Sequence, residues 1–111
     1  MSIETHTNEL IRFRDKRDWK QFHDHKNLAI SLMLEAAEVL ELFQWTAEGQ
    51  LPDEKHAALA GELADVYAYL LLLAHEAGID LARAFEHKMK ENDTKYPVDK
   101  SRGRSTKYSQ L

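Results

Sequence analysis

The chain has no cysteine among its 111 residues, which excludes a disulfide framework, a thiolate zinc site and a cysteine nucleophile and suits a reducing compartment. Glycine and proline are scarce, at four and two, and between these few breaks the apolar residues recur at helical rather than alternating spacing. That pattern predicts an all-α fold. The longest apolar run, Val66 to Ala74, falls well short of the roughly 20 residues that span a bilayer. The stretch Met1 to His6 lacks a basic region followed by an apolar one, so the expectation is a soluble, cytoplasmic protein with no membrane partner.

Positive charge is almost missing from the centre of the chain. Between Glu35 and Asp65 stand Glu35, Glu38, Glu41, Glu48, Asp53, Glu54, Glu62 and Asp65, opposed only by Lys55. From Lys88 to Lys107 the bias reverses, with Lys88, Lys90, Lys95, Lys100, Arg102, Arg104 and Lys107 against Glu91, Asp93 and Asp99. The net charge of -4 and the acidic centre disfavour a nucleic-acid polymer as partner. An acidic centre that attracts cations, with a basic end suited to phosphates, is the charge pattern of a metal-dependent phosphate enzyme.

Four helices are expected. The first runs from about Asn8 to Phe22 with Leu10, Phe13 and Trp19 inward. The second is capped by Asn27, carries Leu28, Leu32, Val39, Leu42 and Phe43, and ends near Gly49. A third, capped by Asp53, runs through Ala57, Leu63, Val66, Leu70 and Leu73 to just before Gly78. A fourth, capped by Asp80, runs from Leu81 to about Lys95 and stops at Tyr96-Pro97, because a residue before proline avoids the helical region. The domain is read as 1–97, with 98–111 a tail by composition. Helices two and three are apolar on nearly all sides, more than one four-helix layer can cover, and a short chain gains core by self-association. A homo-oligomer, dimer or tetramer, is therefore expected.

The strongest chemical signal is Glu35-Ala36-Ala37-Glu38, answered by Glu62-Leu63-Ala64-Asp65. Residues three apart share a helix face, so each segment presents two carboxylates side by side among leucines. Four acids gathered in a bundle repel one another and resist desolvation unless cations neutralise them. Oxygen ligands without histidine or thiol select Mg²⁺, with Mn²⁺ as a possible substitute. The plain alternative is solvated surface charge, which a lone Glu-x-x-Glu would usually be; two such pairs within apolar stretches argue against it. Glu41 is as well explained at the surface as in the cluster.

These residues resemble the all-α nucleotide pyrophosphohydrolases, the MazG-like family, and within it the dCTP pyrophosphatase branch. The Glu-x-x-Glu, spacer, Glu-x-x-Asp motif is met by Glu35, Glu38, Glu62 and Asp65. Similarity extends to Arg17-Asp18-Trp19, Gln21-Phe22-His23, Asn27-Leu28, Glu41-Leu42-Phe43-Gln44-Trp45, Lys88-Met89, Asn92, Lys95-Tyr96-Pro97 and Ser101-Arg102-Gly103. Ala36-Ala37 departs from the pattern, where relatives often carry glycine. The resemblance implies a four-helix bundle-type, oligomeric fold. It also implies a Mg²⁺ cluster on the four acids and hydrolysis of a nucleoside triphosphate to monophosphate and pyrophosphate, with dCTP or a modified pyrimidine nucleotide the leading substrate. Glu35 or Glu38 would orient the attacking water, and the residue pattern does not choose between them.

The same resemblance places Trp19, Phe22, His23 and Trp45 around the nucleobase, with Tyr69 a further substrate contact, sets Lys88, Asn92 and Lys95 along the triphosphate, and has Tyr96 close over the site. Lys88, Asn92 and Lys95 form an i, i+4, i+7 stripe. Without the resemblance both tryptophans could be core or interface residues, the stripe a solvated face, and the Ser101–Arg104 segment a frayed end. His6, His25, His56, His75 and His87 are read as surface or packing residues. A carboxylate-bridged di-iron bundle is disfavoured because no glutamate is followed by histidine three positions on. A non-catalytic helical dimerisation module remains as the rival reading, and it leaves Glu62 and Asp65 unexplained.

Overall fold

A computed structural model of the chain describes residues 2–46 and 49–111, so Glu48 lies outside the described residues. Every regular element among them is helical: α1 (Ile3–Lys16), α2 (His25–Glu41), α3 (His56–Glu76), α4 (Leu81–Lys95) and the short α5 (Val98–Ser101), with 3₁₀ turns at Lys20–Phe22, Asp53–Lys55 and Tyr108–Gln110. The all-α expectation holds. The chain divides into two compact units, Met1–Ile79 and Asp80–Leu111.

Capping chemistry decides where the helices start, and it shifts two expected boundaries. Ser2, not a residue near Asn8, caps α1 by accepting the Thr5 amide at 3.1 Å. Asp24 caps α2 by accepting the amide of Asn27 at 2.7 Å, while the Asn27 side chain donates back to Asp24 at 3.1 Å. Asn27 therefore supports the cap instead of forming it. A carboxylate three residues upstream outcompetes the amide because it accepts a charge-assisted bond at the positive end of the helix. Asp80 caps α4 as expected, accepting from the Arg83 amide at 3.1 Å.

Helix ends correct the reading further. α1 stops at Lys16 instead of Phe22, because Asp18 takes a left-handed conformation (φ 53°). The Asp18 amide then donates to the Asp15 carbonyl and the Trp19 amide to the Arg14 carbonyl, the paired bonds of a Schellman turn. α2 ends at Glu41, short of Gly49. Its last carbonyls are drawn into tight i→i−3 turns through Phe43 and Gln44, and the Thr46 hydroxyl donates to the Phe43 carbonyl at 2.9 Å. Asp53 heads the 3₁₀ turn after Pro52 and makes no side-chain cap bond there, so α3 proper begins at His56. Gly78 (φ 68°) closes α3 with a second Schellman turn, its amide reaching His75 and that of Ile79 reaching Ala74.

In the first unit α3 packs against both α1 and α2. Contacts set the directions. His6 meets Tyr67 and Arg14 meets Glu76, so α1 runs parallel to α3. His25 meets the Glu76 carbonyl and Glu35 meets Glu62 and Asp65, so α2 runs antiparallel to it. The most buried apolar residues are Leu28, Leu71, Leu72 and Ala74, joined by a buried Arg14. Phe13 and Trp19, expected to point inward, are about half exposed.

Much apolar surface stays open on α2 and α3: Ile30, Met33, Leu34, Leu40 and Leu63 are all at least 47% exposed. The stretch Asp53–Glu76 is long and apolar enough to cross a membrane, with mean hydropathy 1.5. Glu62 and Asp65 sit in the middle of it, where a bilayer would strip two carboxylates of water.

In the second unit α4 ends at Lys95 with Tyr96 as its C-cap, followed by α5 and a 3₁₀ turn whose Tyr108 ring stands edge-on to Tyr96, centroids 6.0 Å apart. The segment read by composition as a tail thus carries local helical structure.

Candidate functional site: a carboxylate cluster beside an aromatic slot

Antiparallel packing of α2 on α3 brings the two acid pairs to one level. Carboxylate oxygens of Glu35, Glu62 and Asp65 all lie within 4.8 Å of one another. Glu38 is not one of the three, but its carboxyl stands near enough to raise both Glu62 and Glu35. The hydrogen bond with Glu38, burial and repulsion from Glu38, Glu35 and Asp65 push the Glu62 carboxyl up to about 7. Burial, then the Glu38 contact and the Asp65 charge, also raise Glu35.

Oε2 of Glu35 and Oε2 of Glu62 are shut off from solvent and meet no hydrogen-bond donor among the described residues. Orphaned buried oxygens in a nest of acids need either protons or a cation. Oxygens bound to one Mg²⁺ at about 2.1 Å stand at most about 4.2 Å apart. The observed spread fits a divalent ion after a small inward movement, or two ions sharing the acids.

Between α1 and α3 lies a cavity of about 430 Å³, within the range of small-molecule sites. Asp65 lines it, so the slot opens directly on the carboxylate cluster. Trp19, His23 and Tyr69 line it too, with Leu10, Phe13 and Leu72. The Schellman turn at Asp18 swings Trp19 back onto Phe13, ring centroids 5.7 Å apart, and so delivers the indole to the slot. His23 closes the 3₁₀ turn Lys20–Phe22, its amide bonded to the Lys20 carbonyl at 2.9 Å. Its Nδ1 is buried without a partner among the described residues. Burial and the Arg14 charge lower its pKa against the pull of Glu76, so the ring is neutral at pH 7, with one donor and one acceptor nitrogen.

Trp45 does not join this slot. It is 88% exposed and lines a separate surface groove with Glu41, Thr46 and Lys55. Lys88, Asn92, Lys95 and Tyr96 all belong to the second unit. There Glu91 holds both lysines of the stripe, Lys95 at 2.9 Å and Lys88 at 3.6 Å, and Lys95 lies 4.7 Å from the Tyr108 ring centre. Contact with Lys95 and Lys88 lowers the Glu91 carboxyl, and contact with Glu91 raises the Lys95 ammonium, so both stay charged.

Two polar residues of the slot, Arg14 and His6, were passed over in the sequence. Arg14, 3% exposed, lines it and donates to Glu76 at 2.5 Å and to Asp15 at 3.1 Å. His6, read as surface or packing, lines it as well and meets the Tyr67 hydroxyl at 2.7 Å. The signal was present: His6, Leu10 and Arg14 recur every four residues, so the face that buries Leu10 also presents His6 and Arg14.

A family model described as the MazG-like family matches residues 30–111. The chain is similar to dCTP pyrophosphatase 1 of Mus musculus, 42% identical over 104 residues, and to that of Rattus norvegicus, 44% identical over 105 residues. Each match covers 89% of this chain and 61% of the relative, so the chain spans about three fifths of the length of these curated proteins. Among solved structures it resembles a pyrophosphatase from Archaeoglobus fulgidus, with TM-score 0.72 and 41% identity over 81% of this chain and 87% of that one.

Proposed function

Because the chain belongs to the MazG-like family, we propose that it is a Mg²⁺-dependent pyrophosphohydrolase that converts a nucleoside triphosphate and water to the monophosphate and pyrophosphate. dCTP or a C5-modified pyrimidine relative is the leading substrate, a choice supported by the names of the similar proteins. One observation carries the reading: three clustered carboxylates, two of them with an orphaned buried oxygen and with Glu38 beside them, adjoin through Asp65 an aromatic slot of ligand size.

Glu35, Glu38, Glu62 and Asp65 would hold Mg²⁺, or Mn²⁺ in its place, and the ion when bound supplies charge neutralisation and Lewis-acid activation for phosphoryl transfer. Water attacks the α-phosphorus. Its proton passes to Glu35 or Glu38, whichever keeps a carboxylate oxygen turned to the water, and the α–β bridging oxygen leaves with pyrophosphate. Trp19 and Tyr69 hold the base, and neutral His23 presents its unpartnered Nδ1 to a base edge. Lys88, Asn92, Lys95 and Tyr96 are proposed phosphate contacts on the strength of family resemblance, as is Trp45 for the base. The open apolar face of α2 and α3 supports a homo-oligomer, and the absence of cysteine agrees with a cytoplasmic setting.

Pyrophosphate release measured over canonical and modified nucleoside triphosphates, with Mg²⁺ and with EDTA, tests the reading. Metal-dependent turnover favouring pyrimidine deoxynucleotides is expected. No turnover of any triphosphate, together with no Mg²⁺-dependent thermal shift, would leave the dimerisation module as the better account.

A further inference from the structure

The parallel run of α1 beside α3 gives the slot an axis. On α3 the cluster ligand Asp65 comes first, then Tyr67 with its partner His6, then Tyr69 and Leu72, and finally Glu76 with its partner Arg14. At 1.5 Å per residue Tyr67 stands about 3 Å beyond Asp65 along the helix, and Glu76 about 13 Å beyond Tyr67. Trp19, stacked edge-on to Phe13, and His23, in the field of Arg14 and Glu76, belong to the far end. A nucleotide with its phosphates at the carboxylates and its base at Trp19 therefore sets its pentose at the level of His6 and Tyr67.

We propose that the His6–Tyr67 pair reads the sugar and disfavours a ribose 2′-hydroxyl; this rests on the pyrophosphohydrolase reading above. The two side chains engage each other. His6 Nδ1 and the Tyr67 hydroxyl are 2.7 Å apart and their rings meet edge to face, centroids 5.5 Å apart, bridging α1 and α3. The bond commits His6 Nδ1 and one of the two hydrogen-bonding capacities of the Tyr67 hydroxyl, so the pair offers the slot fewer free polar sites than the two side chains would apart. A 2′-hydroxyl brought against it gives up more hydrogen bonding to water than the engaged pair returns, whereas a 2′-deoxy carbon gives up little. Removing either half of the pair frees the other half's polar atom for that hydroxyl. Sequence similarity in the Glu-x-x-Asp motif does not reach this contact, since His6 lies near the start of the chain and Tyr67 beyond the motif.

The test is the ratio of kcat/KM for dCTP over CTP in the wild-type chain, Tyr67→Phe and His6→Leu, with melting temperatures alongside. The wild type is expected to favour dCTP, and each variant to narrow that ratio about tenfold through better use of CTP. If Tyr67→Phe does not fold, His6→Leu at the exposed start of α1 carries the same expectation. A ratio within twofold of wild type, or a larger one, overturns the proposal, as does equal loss on both substrates with a lowered melting temperature, the mark of a mere staple between helices. A wild type that turns over both equally well also overturns it. Turnover of neither by the wild type overturns the underlying reading and this inference with it.

Discussion

Glu35 and Glu62 each carry a buried oxygen without a hydrogen-bond donor among the described residues, and single substitutions in the cluster should report on it. Glu38→Gln and Asp65→Asn keep side-chain shape and delete a ligand charge; each is expected to abolish Mg²⁺-dependent turnover while raising the melting temperature in EDTA, as repulsion is relieved. Near wild-type activity at saturating Mg²⁺ would remove these residues from the site. Glu62 also sets a pH dependence. Its folded-state value of about 7 lies above the ordinary 4.5, so between these pH values the folded chain holds a proton that the unfolded chain has released. Stability from this group is therefore present at low pH and is lost as pH rises through 7. His23, lowered by burial and Arg14, acts in the opposite sense. Urea unfolding in EDTA at pH 5.5 and 8, wild type against Glu62→Gln, isolates the carboxylate: the wild type should lose more stability on going to pH 8, and added Mg²⁺ should cancel the difference. Equal losses in the two proteins would contradict the shift.

Helix ends explain why the site forms where it does. Asp18 occupies a left-handed position that turns Trp19 into the slot. Asp18→Gly should stabilise the chain by roughly 1 kcal/mol, and Gly78→Ala, at the matching position of α3, should destabilise it by about 1–2 kcal/mol. Thermal melts check both, and a stabilised Gly78→Ala would contradict the turn. Between α1 and α3 the Arg14–Glu76 pair matters more, because Arg14 is almost fully buried. Glu76→Leu leaves the buried guanidinium with only the exposed Asp15 as acidic partner and should cost about 3 kcal/mol, while Arg14→Leu with Glu76→Leu should recover most of it. At this scale the sequence was legible in part. Helical spacing and Asp80 placed α4, and the two acid pairs placed the cluster, since i, i+3 spacing survives any small shift of a helix boundary. The start of α2 was not legible, because Asp24 and Asn27 are both good caps and only the competition between them decides. Nor was the end of α1, where an aspartate took a role usually filled by glycine. His6 and Arg14 were readable on the face of Leu10, but what makes them part of the slot is pairing with Tyr67 and Glu76, some sixty residues away.

As a whole the described chain leaves an apolar face on α2 and α3 that water covers poorly. A folded monomer with this face open is unfavourable, so light scattering at micromolar concentration should give a dimer or tetramer, and Leu34→Glu with Leu63→Glu should lower the mass or the solubility. A stable wild-type monomer would refute the oligomer. Composition alone foresaw this surface, because helices apolar on several sides need more partners than one short chain supplies; it could not say that Trp45 would stand outside the slot of its own chain. The central claim, that acids and slot together direct water to the α-phosphorus, is tested most directly by hydrolysing dCTP with Mg²⁺ in ¹⁸O-labelled water and weighing the products. The account predicts dCMP carrying the label and unlabelled pyrophosphate. Label in pyrophosphate, or release of single phosphates with dCDP, would place the attack elsewhere and contradict it.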